Sequence, residues 1–192
     1  MRYSIGIDFG GTNIAVGLVD EEYRVVRKAS LPTGKGKRSV DEMVADMAIL
    51  CRQLSKEQGI DLNEVASIGI ATPGTVNSKL GIVIDYPGMG LSNYPMANIL
   101  SSCLDGFAPE RIRIANDANA AALGEAMAGS AIGADTALMI TLGTGVGGGI
   151  ILDGKIYFGE STFYTWGGFI HFTPPEWDRK LGEMIVLPEK HI

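Results

Sequence analysis

Two glycine-rich stretches and one acidic dipeptide carry the residue types that chemistry needs. Asp8-Phe9-Gly10-Gly11-Thr12 closes one apolar run, Asn116-Asp117 follows a second, and Thr141-Leu142-Gly143-Thr144-Gly145 closes a third. Glycine turns let backbone N–H groups approach anionic oxygens closely, and Thr12 and Thr144 add hydroxyl donors. The natural ligand of such a pair of turns is a phosphate chain gripped from both sides. Asp8 would face that chain at the end of its strand and repel it unless a divalent cation lay between. It is therefore a candidate Mg²⁺ ligand, through water, with a plain turn cap as the competing reading. Asp117 is the one acid placed at a strand-to-helix junction between the two glycine turns. There it suits either of two compatible roles, helix cap or acceptor of a proton from a poor nucleophile such as an alcohol.

The second stretch also contains Gly143-x-Gly145-x-x-Gly148, the spacing of a dinucleotide-binding fingerprint. That fingerprint works only where the turn opens a helix whose N-terminus holds the pyrophosphate. Here the glycines lead into "GIILDGKIYFG", rich in β-branched and aromatic residues and broken by an Asp153-Gly154 turn. The context is strand, turn, strand, and the dinucleotide reading fails. Laying Asp8–Asp20 over Thr141–Asp153 without a gap matches Gly10 with Gly143, Leu18 with Ile151, Val19 with Leu152 and Asp20 with Asp153. This reads as a duplicated hairpin, one copy in each of two related lobes; chance similarity between glycine-rich hairpins is the alternative.

The elements that must hold these residues are legible from periodicity. Strands are predicted over Tyr3–Asp8, Ile14–Val19, Arg24–Leu31, Val65–Ala71 and Arg111–Ala115, and again over Ala137–Leu142 and Gly149–Leu152. Val40, Met43, Val44, Met47, Leu50, Cys51 and Leu54 recur at helical spacing. Ser39 and Glu42 form a capping box before them and Gly59 a C-terminal cap after them, so a helix spans Val40–Gln58 with its methionines in the core. A shorter helix starts at Pro95 as its first residue and ends at Leu104, and a third runs over Ala118–Ala128. Glu125, two turns into the third, reads as a supporting rather than a site residue. Strands alternating with helices make an α/β layer fold.

The chain has 192 residues with 46% apolar and 20% charged, an ordinary balance for a globular protein. A net charge of −6 without any lysine or arginine block disfavours nucleic acid and anionic membrane as partners, while leaving small phosphorylated ligands open. Cys51 and Cys103 are isolated from one another in sequence, which predicts no disulfide framework and a reducing, cytoplasmic setting. No apolar run reaches the about 18 residues of a membrane helix, and the first strand pattern begins too early to leave room for a signal peptide.

"IDFGGTNIAVGLVD", "ATPGTVN", "IANDANAAALGEAMAG" and "ITLGTGVGGGIILDGKIYFG" stand in the order and spacing of the signatures of ROK sugar kinases, of the actin–hexokinase superfamily, and the chain resembles that family over residues 3 to 160. The resemblance implies a ribonuclease-H-like α/β fold in two lobes, with ATP and a sugar in the cleft between them and γ-phosphate transferred to a sugar hydroxyl. It puts Asp8, Gly10, Gly11 and Thr12 in the first phosphate motif and Thr141, Gly143, Thr144 and Gly145 in the second. Asp117 matches the general base, Asn116 a ligand of sugar hydroxyls, and Gly74 and Thr75 the loop over the sugar. The implied division is a first lobe at 1–116, the start of a second with its phosphate hairpin at 117–160, and an atypical tail at 161–192. ATP, Mg²⁺ and a hexose or amino-hexose are the implied ligands, and a homodimer is compatible with the resemblance.

The departures concern the tail and the sugar. Family members continue into a G-E-I-G-H motif and a cysteine cluster that binds structural zinc. Here Gly168-Phe169-Ile170-His171 and Gly182-Glu183-Met184 are faint echoes, no cysteine follows Cys103, and no zinc site of that kind is expected. Asn77 replaces a common aspartate after the P-G-x-V element, and Asp85 and Met89 alter a segment near the sugar, so the sugar's identity stays open. The residues after Asn119 are too few for a second α/β lobe, so the expectation is a first lobe joined to the opening of the second, with weak or absent kinase activity from this polypeptide alone. A sugar-responsive regulator and a non-catalytic sugar-binding remnant are the competing functions; the acidic charge and the early first strand speak against a DNA-binding repressor.

Overall fold

The computed structural model describes residues 2–142 and 146–157. Strands β1 (Ser4–Phe9), β2 (Asn13–Val19) and β3 (Val25–Pro32) form an antiparallel meander. Helix α1 (Val40–Gln58) then crosses to β4 (Ile68–Thr72), which lies parallel to β1. Short strands β5 (Thr75–Asn77), β6 (Ile82–Tyr86) and β7 (Leu91–Tyr94) make a separate antiparallel sheet, and helix α2 (Met96–Cys103) leads to β8 (Ile112–Asn116), parallel to β4. The main sheet has the order β3-β2-β1-β4-β8. Helix α3 (Asp117–Ala128) leaves β8 directly and is followed by β9 (Ala137–Leu142), β10 (Val146–Leu152) and β11 (Lys155–Tyr157), a third sheet in the order β11-β10-β9.

Alternation along the strands sorts the two faces of the main sheet. Ile5, Ile7 and Phe9, then Ile14, Val16 and Leu18, then Ile68 and Ile70, then Ile112 and Ile114 are buried on the face that α1 and α2 cover. The apolar stripe predicted for α1 lies there, with Met43, Val44, Met47, Leu50, Cys51 and Leu54 all buried. Its caps form as expected: Ser39 accepts from the Glu42 amide, Glu42 reaches back to Ser39, and Gly59 takes the left-handed conformation at φ 75°. The opposite face carries Gly6, Asp8, Ala15, Gly17, Gly69, Ala71 and Ala115, small residues apart from Asp8, beside α3.

Several predicted boundaries shift. The first strand starts at Ser4, the third at Val25, and the fourth at Ile68, because Leu62–Glu64 form a short 3-10 turn that carries the chain to Val65. Pro95 is the N-cap of α2 rather than its first residue, with no side-chain cap bond. The β5–β7 sheet was not anticipated, since strands this short show no period of their own. Val76, Val83 and Leu91 nevertheless join the core from it. Among the described residues no helix is long and apolar enough to cross a membrane.

The glycines of β10 sit within a strand, as the strand–turn–strand reading requires. Hairpin pairing joins Phe9 to Ile14 in the first copy and Leu142 to Val146 in the second, so the gapless overlay holds along β1 and β9 and slips by one residue across the turn. Gly147 and Gly149 have a packing reason. A Cβ on Gly149 would lie 2.5 Å from the Ala122 Cβ and 3.1 Å from the Ala118 carbonyl, and one on Gly147 3.0 Å from the Ala118 Cβ. Helix α3 thus approaches Gly147 and Gly149 through Ala118, Ala122 and the Asn119 backbone.

Substituting Gly149→Ala is expected to lower unfolding free energy by about 1–3 kcal/mol through overpacking against Ala122, whereas Gly6→Ala, with nothing within 4 Å, costs far less. Denaturant titration of both variants checks this, and equal stabilities would contradict the packing assignment.

Candidate active site at the carboxyl ends of the parallel strands

Parallel strands deliver their C-terminal ends to one edge of a sheet, which is where open α/β sheets bind ligands. In this sheet β1, β4 and β8 are the parallel set. Asp8 pairs with Ala71 and Ala71 with Ala115, forming one row across three strands, and Asp117 stands two residues past Ala115 at the start of α3. Asp8 and Asp117 therefore occupy the same edge with only alanines between them. Both line a cavity of about 1300 Å³ along the uncovered face, which Thr141 of β9 also borders.

The electrostatics register this proximity. Burial, and next the neighbouring Asp117 charge, push the Asp8 carboxyl above its ordinary value. Burial, with Asp117 again contributing, also raises the Tyr86 phenol.

The helix cap falls on Asn116 and not on Asp117. Asn116 Oδ1 accepts from the amides of Ala118 (3.0 Å) and Asn119 (3.4 Å), while Asp117 is the first helical residue, exposed, with Oδ1 on the Ala118 amide. The positive end of the helix dipole favours a carboxylate there. Asn116 is buried, and its Nδ2 donates to the Gly74 carbonyl at 3.2 Å. Both lone pairs of its oxygen are used and one N–H remains.

That bond ties the loop after β4 to the helix. Gly74 sits at φ 90°, where a side chain is strained, and a Cβ would run into the Asp85 carbonyl and the Tyr86 Cβ. Thr75 begins β5 and pairs with Asp85. Asn77 holds the next turn by accepting from the amides of Lys79 and Leu80, bonds that an aspartate could equally accept. Glu125 accepts from the Ser130 amide and supports the turn after α3.

The first glycine turn is fixed from the side. Gly10 donates to the Asn13 carbonyl, and Thr33, fully buried, donates its hydroxyl to the Gly10 carbonyl at 2.7 Å and its amide to the Thr12 carbonyl at 2.8 Å. Gly11 and Thr12 stay exposed. Sequence reasoning missed Thr33 and Tyr86, because a lone threonine after a strand and a tyrosine before a proline carry no local signature. Of the second turn, Thr141 is described, half-buried on β9. Gly143, Thr144 and Gly145 lie outside the described residues, as do the tail motifs around His171 and Glu183.

A family model described as the ROK family matches residues 4–176. The chain belongs to the ROK family. Among its ROK relatives, the glucokinase of Halalkalibacterium halodurans is 34% identical over 160 residues, covering 82% of this chain and 46% of that protein. The N-acetyl-D-glucosamine kinase of Yersinia pestis is 33% identical over 172 residues, covering 88% of this chain and 62% of its own length. A crystal structure of a ROK glucokinase from Streptomyces griseus in complex with glucose and AMPPNP superposes with a TM-score of 0.72 at 32% identity, over 85% of this chain and 49% of that one. The fold is that of the actin–hexokinase ATPases, and the chain spans about half the length of most of the curated relatives it matches.

The raised Asp8 pKa has a sign that can be tested. The folded protein holds the Asp8 proton more tightly than the unfolded chain, so ionising it opposes folding; that cost is fully present above the folded pKa and vanishes below the ordinary value of 3.8. Asp8→Asn in EDTA is therefore expected to melt higher than the parent at pH 7, with the gap closing towards pH 3. A gap independent of pH would contradict the assignment.

Proposed function

We propose that the chain serves ATP-dependent phosphorylation of a hydroxyl on a hexose or amino-hexose, in the manner of the glucokinases and N-acetylglucosamine kinases it resembles. The observation that carries this reading is the meeting of Asp8 and Asp117 on one sheet edge beside the Gly10–Thr12 turn, although more than half the chain's length separates them. A phosphoryl-transfer site needs little else: anchors for the phosphates, charge neutralisation and a base for the acceptor.

In this reading the exposed Gly11 and Thr12 present N–H and hydroxyl donors to the donor phosphates, with the turn held in shape by Thr33. Thr141, Gly143, Thr144 and Gly145 supply the opposing grip. The loop at Gly74 and Thr75 and the free N–H of Asn116 face the sugar, and Asp117 accepts the proton of the attacking hydroxyl. As that O–H bond breaks, the sugar oxygen bonds to the γ-phosphorus, and the bond to the β–γ bridging oxygen breaks with its electron pair leaving on ADP. The carboxylate oxygens of Asp8, crowded by a second negative charge, fit a Mg²⁺ ion held through water, and such an ion supplies neutralisation of the phosphate charge.

Asp117→Asn tests the base directly. Transfer of labelled γ-phosphate to glucose or N-acetylglucosamine should fall by about 10²–10⁴-fold with AMPPNP affinity unchanged. Equal turnover by variant and parent would remove Asp117 from the mechanism.

A further inference from the structure

The loop between β3 and α1, Thr33-Gly34-Lys35-Gly36-Lys37-Arg38, holds three cations in six residues. Its two ends are pinned. Thr33 is bonded to the carbonyls of Gly10 and Thr12, so the loop departs from the first glycine turn itself. Arg38 donates to Asp46 at 2.6 Å and to the Glu42 carbonyl, which fastens the far end to α1. Between the pins Gly34 (φ 67°) and Gly36 (φ 77°) take left-handed conformations, and the Lys37 amide bonds to the Gly34 carbonyl in a tight turn.

This turn delivers Lys35 to the face of Tyr86. Its Nζ lies 6.0 Å from the centre of the Tyr86 ring, the ring on which the Asp117 charge acts. Tyr86 in turn is packed beside Gly74, the loop residue tied to Asn116. Lys35 thus follows by two residues the threonine that pins the glycine turn, and its ammonium faces the ring packed beside the loop that Asn116 holds. Among the described residues it makes no ion pair, while Arg24, Arg38 and Arg52 all do. A ring face holds an ammonium weakly at an exposed position, about 0.5–1 kcal/mol, and leaves its N–H donors to a stronger acceptor.

We propose that Lys35 binds the terminal phosphoryl group handled in the cleft, its ammonium leaving the face of Tyr86 to meet that dianion. The proposal rests on the phosphotransfer reading above and adds a residue to it. The same chemistry fits two sources, the end of the phosphate donor and the phosphate monoester of the product. Lys37, equally exposed on the same turn but without the Tyr86 contact, is the internal control.

The experiment is isothermal titration of the parent chain, Lys35→Met, Lys35→Arg and Lys37→Met with inorganic tripolyphosphate in Mg²⁺ and, separately, with glucose 6-phosphate. Removing a charge-assisted bond should weaken binding roughly tenfold or more in Lys35→Met, with partial recovery in Lys35→Arg and less than about twofold change in Lys37→Met. Loss confined to tripolyphosphate assigns Lys35 to the donor end, loss confined to glucose 6-phosphate to the product, and loss of both to the group in transit. Parent-like affinity of Lys35→Met for both probes overturns the proposal while the phosphate reading stands. Equal losses in Lys35→Met and Lys37→Met overturn it in favour of diffuse charge. No binding of either probe by the parent overturns the phosphotransfer reading and this proposal with it. Lys35 is exposed, so its variants are expected to melt with the parent, which thermal unfolding verifies.

Discussion

The parallel ladder of β1, β4 and β8 is the constraint from which the site follows. Backbone pairing fixes Asp8, Ala71 and Ala115 in one row, and the chain can leave β8 only at the edge where Asp8 already stands. Asp8 loses stability in this arrangement, through burial first and the Asp117 charge second. The sheet tolerates the repulsion because its other face buries Ile5, Ile7, Ile70 and Ile114 against α1 and α2, a contribution of about 1.5–3 kcal/mol for each fully buried side chain. An apolar core on one side thus holds a polar, strained arrangement on the other.

Around that edge the work is divided among neighbours. Asn116 takes the helix cap and the Gly74 carbonyl, which leaves Asp117 exposed at the head of α3. Thr33 takes the carbonyls of the glycine turn, which leaves Gly11 and Thr12 open. In both cases a buried polar side chain satisfies the backbone while an adjacent group stays exposed.

What was legible in the sequence is what local physics controls. α1 was read to its end residues because apolar period, capping box and terminal glycine agree there, and the main-sheet strands were read from alternating isoleucines and valines. The β5–β7 sheet escaped because its strands are held by pairing with one another and by single anchors such as Val83, neither of which leaves a pattern in a short window. Asp8, Asp117 and the glycine turns stood out as candidates by residue type and position, whereas Gly74 was marked only by the resemblance. Thr33, Tyr86 and the true cap Asn116 were not legible, since their roles depend on partners 23, 31 and 42 residues away or on a one-residue choice between two good capping types.

The seam between α3 and β10 has a bearing on precision. Where leucines or methionines interdigitate, a small displacement is absorbed by turning a side chain into another rotamer. Methyls of Ala118 and Ala122 set against bare glycine backbone have no such torsion to turn. The height of α3 above β10 at these contacts is therefore gauged by covalent geometry rather than chosen among conformers, and the helix that begins at Asp117 rides with that strand.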